Sequence, residues 1–118
     1  MTIDGRLPGL NEYINAERRN RYAGAKMKKE WQRVVGWFIG RMPPAPIPCW
    51  VKFVFYEPNG RRDVDNVSGF AHKIIFDALV EHGVLKGDGQ KYVAGYTDKF
   101  EIDCDRPRIE VTITGVKR

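Results

Sequence analysis

Asp63 and Asp65 stand two residues apart. In an extended segment that spacing sends both side chains to the same side of the backbone. Two carboxylates held so close repel each other, and unless a cation sits between them at least one tends to take up a proton. Hard oxygen donors on a loop are what Mg²⁺ or Mn²⁺ requires. A third carboxylate, Asp88, lies between Gly87 and Gly89, which let the backbone or a phosphate approach closely. Plainer readings stand beside these. An Asp-x-Asp ahead of a helix also serves as a cap and suits the positive end of the helix dipole, and an aspartate between glycines also makes a turn.

The elements that would position these residues follow from periodicity. Residues 1–10 read as a short extended segment with a turn at 5–9. Residues 15–21 are polar and basic, with Arg18, Arg19 and Arg21 close together, and read as a loop or arm. A helix is expected over about 23–41, with Met27, Trp31, Val34, Val35, Phe38 and Met42 on one face, stopped by Pro43 and Pro44. Residues 49–56 are β-branched and aromatic and predict a strand. Glu57-Pro58-Asn59-Gly60 is a turn. A second helix is expected from Asn66 or Val67 to His82, with Val67, Phe70, Ala71, Ile74, Ile75, Ala78 and Leu79 as its stripe and Gly83 just beyond its end. A tight loop over 86–89 precedes two strands, 91–97 and 108–114, separated by an acidic turn at 103–106. The order predicts an α+β fold: a single domain over residues 1–118 with a small mixed β-sheet packed against two main helices.

Composition bounds the function. A chain of 118 residues, 42% apolar and 30% charged, suits one modest core, which dimerisation would help stabilise. The net charge of +5 is unevenly spread: residues 1–62 hold 12 Lys/Arg against 5 Asp/Glu, and residues 63–118 hold 8 against 10. That division suits a protein that binds a polyanion beside a coordinated cation, although many proteins are mildly basic for no such reason. Cys49 and Cys104 belong to no Cys/His cluster, which excludes a zinc site of the usual spacing. The N-terminus lacks the apolar stretch of a signal peptide, and no apolar run is long enough to span a membrane. A cytoplasmic protein is the expectation.

Lys73 adds to the carboxylates. On the second helix Gly69, Lys73 and Asp77 share a face with the helix start, away from the apolar stripe. A lysine there can reach a phosphate held by a metal on the aspartates; the alternative is a solvated lysine paired with Asp77 at i+4.

Arg62-Asp63-Val64-Asp65-Asn66, then Lys73-Ile74-Ile75-Phe76-Asp77-Ala78-Leu79, then Gly83 and Asp88, resemble the RusA family of Holliday junction resolvases. That family carries Arg-Asp-x-Asp-Asn, a helix with Lys-x-x-x-Asp-x-Leu, and an acidic pair before the next strand. The opening Gly5-Arg6-Leu7-Pro8-Gly9-Leu10-Asn11 resembles the family's Gly-x-Pro-x-x-Asn. Two departures stand out. The best-known members place the lysine four residues after the second motif aspartate, and here the step is eight, about one extra turn or 6 Å along a helix. Gly87 stands where the first acid of the pair is usual.

The resemblance implies a homodimer, of phage or prophage type, that binds a four-way DNA junction and makes paired symmetric nicks. It implies that Asp63, Asp65 and Asp88 hold Mg²⁺, with Mn²⁺ as a substitute, and that the metal activates water against the scissile phosphate. Lys73 would contact that phosphate. Arg61, Arg62, Arg18, Arg19 and Arg21 are the candidates for backbone phosphate contacts, which set position and salt dependence rather than base identity. Tyr13, Tyr22 and Trp37 would either stack on bases exposed at the crossover or, the commoner fate of an aromatic, pack internally or at an interface. Two other classes of function fit the same residues. One is a non-catalytic nucleic-acid-binding module with the aspartates as caps. The other is a metal nuclease for other branched or single-stranded DNA.

Overall fold

Alternation along residues 49–57 decides the architecture. Cys49, Val51, Phe53 and Phe55 are fully buried on one side, while Trp50 and Lys52 face outward. In the computed structural model, which describes residues 1–117, this segment is strand β2 (Cys49–Glu57). Around it lie β1 (Thr2–Asp4), α1 (Leu10–Arg19), α2 (Arg21–Ile39), α3 (Val64–Glu81), β3 (Val93–Ile102) and β4 (Arg108–Gly115). The four strands form one mixed sheet in the order β1-β4-β2-β3. β2 runs parallel to β3 and antiparallel to β4, and β1 is antiparallel to β4. This is the expected α+β fold.

The core joins the helices to one sheet face. Val35 and Ile39 of α2 and Phe70, Ile74, Ile75 and Leu79 of α3 meet Phe53 and Phe55 of β2 and Ile109 and Val111 of β4. Each of the large side chains among them contributes about 1.5–3 kcal/mol of transfer free energy when fully buried. α3 ends as the glycine predicted: Gly83 takes φ 76°, its N–H donates to the Val80 carbonyl at 3.1 Å, and the Val84 N–H donates to Leu79 at 2.9 Å. That pattern satisfies carbonyls the helix would leave orphaned.

Three expectations are corrected. Residues 15–21 are not an arm. They are the last turns of α1, a break at Asn20, and the start of α2. Asn20 is extended (φ −171°, ψ 159°), and its side-chain oxygen accepts from the Ala23 N–H at 2.8 Å, which caps α2 and turns the chain. α1 therefore makes a third helix beside the two expected; its apolar signal is thin, and it docks through Tyr13, whose ring lies 4.7 Å from that of Phe70. Lastly, the two strands closing the chain are not neighbours. β2 is the most apolar strand and takes the central position between them, so residues 103–107 cross over its end, where the Asp103 N–H donates to the Glu57 carbonyl at 2.8 Å. β3, ten residues long, is left as one edge of the sheet. No helix among the described residues is long and apolar enough to cross a membrane.

Candidate metal and nucleic-acid site

The link from β2 to α3 is anchored from beneath. Glu57, the last residue of β2, is buried, and its carboxylate accepts from Arg62 (Nε 2.8 Å) and Arg6 (Nη2 2.9 Å). Burial pushes the Glu57 carboxyl upward, but the hydrogen bonds and charges of Arg62 and Arg6 outweigh that and hold it below the usual glutamate range. Arg62 also donates to the Leu7 carbonyl at 3.2 Å. Its side chain is only 16% exposed, so the guanidinium assigned to phosphate in the sequence reading is committed to the fold. Arg61 remains exposed, with no ion pair among the described residues.

Asp63 occupies the N-cap position of α3 with extended geometry (φ −65°, ψ 154°), yet its side chain makes no cap hydrogen bond. Asp65 lies in the first turn, and its Oδ1 accepts only from the adjacent Asn66 N–H at 3.0 Å. Both are exposed, and among the described residues neither enters an ion pair. Because α3 begins at Val64, the two carboxylates flank a strand-to-helix junction rather than lying along an extended run. Asn66 ties the helices together: its Oδ1 accepts from the Asn11 N–H at 2.8 Å, at the start of α1. Gly9 packs so closely here that a Cβ on it would lie 2.7 Å from Asn66.

Lys73 is exposed on α3, about 12 Å along the axis from Asp65. Its i+4 neighbour Asp77 instead pairs with Lys28 of α2 at 2.9 Å, so the lysine-to-aspartate pairing considered from sequence does not form. Arg18, Arg19 and Arg21 flank the Asn20 break and are exposed. Ten residues of α1 separate them from the Asp65 end, roughly 15 Å.

Asp88 is exposed in the loop after α3, and it stands apart from the other two aspartates. That loop packs at the beginning of β2: the Ala45 N–H donates to Val84 at 2.8 Å and the Cys49 N–H to Tyr92 at 2.9 Å. Asp63 follows the far end of the same strand. The 18 residues of α3 lie between, a rise of roughly 27 Å. Accordingly, no group of three His, Cys, Asp or Glu side chains among the described residues is placed to share a metal ion. Gly87 has a local reason: a Cβ there would lie 2.9 Å from the Tyr92 ring.

One polar contact has no signal in the sequence. His72 Nε2 lies 2.8 Å from Asp98 Oδ1, both mostly buried, with the imidazole 4.6 Å from the Tyr96 ring and 5.0 Å from Phe53. It pins α3 to the edge strand. The two residues are far apart in sequence, and no local signal joins them.

Comparison with protein-family models finds no match to this chain, and a search of curated proteins likewise finds none.

Proposed function

We propose that this chain is a Mg²⁺-dependent endonuclease that acts on branched DNA, four-way junctions above all, as a homodimer. One observation carries the reading. Asp63 and Asp65 stand exposed and, among the described residues, without ion pairs, while the nearby Arg6 and Arg62 are held by Glu57. Two of the three nearby guanidinium groups are thus occupied, Arg61 makes no ion pair with the aspartates, and the pair is open to a metal ion. Carboxylate oxygens are the donors Mg²⁺ takes, and Mg²⁺ is commonly held by one or two carboxylates together with substrate phosphate. The donor chemistry of these two side chains therefore fits. The resemblance of the surrounding motifs to the RusA family supports the same chemistry.

A homodimer would give the distant Asp88 a place in the site. A twofold partner lying antiparallel along α3 would bring Asp88 of the partner subunit to the Asp63–Asp65 end, and the reverse contact would form at the other end. Two such composite sites suit a substrate cut symmetrically in two strands. In each, Asp63 and Asp65, with Asp88 of the partner subunit, would hold the ion, which would supply Lewis acidity toward the scissile phosphodiester. Lys73 presents its ammonium to a phosphate oxygen. Arg61 contacts neighbouring backbone phosphates, and the cluster of Arg18, Arg19 and Arg21 contacts phosphates further away.

A labelled four-way junction incubated with the protein, with and without Mg²⁺, tests this. Paired nicks that require the metal and vanish in Asp65→Asn support it. Binding without cleavage under any divalent ion overturns it in favour of a non-catalytic binding module. Equal cutting of junctions and single strands keeps the nuclease and removes the junction preference.

A further inference from the structure

The solvent face of α2 bears a stripe that the nuclease site does not use. Tyr22, Lys26, Lys29, Arg33 and Trp37 recur at i, i+4, i+7, i+11 and i+15. At 100° per residue they fall within about 80° of arc and extend about 22 Å along the helix. The stripe lies opposite the buried Gly24 and Val35 and is bordered on one side by Gly36, which is buried against His82. Trp37 is 84% exposed and Tyr22 is 70% exposed. A tryptophan so exposed on a helix is unusual. Its indole stands between two surface concavities. One, of about 390 Å³, is lined by Arg33, Val34 and Phe38. The other, of about 620 Å³, is lined by Lys29, Gln32, Gly36, Glu81 and His82.

The charge on this part of the chain is strongly positive. From residue 18 to residue 41 there are eight Lys/Arg and one acid, Glu30. Glu30 makes only a long contact with Lys26, at 3.9 Å.

We infer that this face of α2 binds unpaired nucleotides of single-stranded DNA, with Trp37 and Tyr22 stacking on bases and Lys26, Lys29 and Arg33 contacting the phosphates between them. Stacking requires an accessible base face, which a paired duplex does not offer, and a run of cations between two aromatics matches a backbone with bases splayed to either side. A membrane fits less well: between its two aromatic ends the stripe carries only cations, with no continuous apolar strip to insert. A second copy of the chain fits less well too, since a twofold contact would set the cationic stripe against itself. Binding here needs neither the aspartates nor a metal ion.

The test is anisotropy of a labelled single-stranded oligothymidine in EDTA, with thermal unfolding as a check that variants are folded. Trp37→Ala should weaken binding about tenfold or more, and Trp37→Phe should recover most of the loss. Lys29→Ala with Arg33→Ala should lower the salt slope by about 0.7 per cation removed. Binding is read in EDTA, where no metal-dependent cutting occurs, so failure of the nuclease reading leaves this result intact. Unchanged affinity in Trp37→Ala and in the double variant overturns the inference. So does binding to phosphatidylserine vesicles in place of the oligonucleotide, or loss of a dimer in Trp37→Ala with oligonucleotide affinity preserved.

Discussion

Glu57 and Arg62, five residues apart across the turn that leaves β2, close on each other at 2.8 Å and thereby aim the chain into α3. Arg6 completes the contact from the N-terminal segment. The aspartate pair of the proposed site begins at the next residue, so its placement depends on this buried carboxylate.

Glu57→Gln should therefore destabilise the fold by about 2–3 kcal/mol, because it removes a buried charge from two guanidinium partners. The pH dependence has a definite sign. The folded carboxyl titrates below its ordinary value, so its contribution is complete above the ordinary glutamate range and is lost as pH falls through the lower, folded-state value. Thermal unfolding across acidic pH checks this: the unaltered chain should lose more stability on acidification than Glu57→Gln does. Parallel curves would show that Glu57 is not the group responsible.

In the proposed homodimer, separation of Asp88 from Asp63 and Asp65 predicts complementation between inactive proteins. Asp65→Asn and Asp88→Asn should each abolish cutting alone. Mixed and allowed to exchange subunits, they should regain single nicks, because a heterodimer of this geometry contains one intact composite site. Continued inactivity of a demonstrated heterodimer would place each site within one protomer.

Gly87→Asp, which restores the acidic pair usual in the family resembled, should cost about 1–3 kcal/mol, since a Cβ there meets the Tyr92 ring at 2.9 Å. The cost should shrink when Tyr92→Ala is present as well, so a double-mutant cycle in chemical denaturation would measure the coupling. Additive effects would mean that the ring is not what excludes the side chain.

Much of the fold was legible because its signals are local. The stripe from Val67 to Leu79 has one period and yields α3; the alternation from Cys49 to Phe55 yields β2; Gly83 has one conformational use at a helix end. α1 was not legible, because its cap at Gly9 and its break at Asn20 are made by hydrogen bonds within a polar stretch whose apolar residues are few. Strand order was not legible either, since β4 acquires its partners by burial of β2 between two strands and not by proximity in sequence.

The aspartates divide in the same way. The residues themselves determined that Asp63, Asp65 and Asp88 are carboxylates suited to a hard cation, because oxygen chemistry belongs to the side chain. Tertiary structure decided which of them can meet. It gave Arg62 to Glu57 and Asp77 to Lys28, left Asp63 and Asp65 exposed and, among the described residues, without ion pairs, and placed Asp88 at the opposite end of α3. The physical reason is length: a helix of 18 residues carries its two ends roughly 27 Å apart, whatever the motif spacing along the chain.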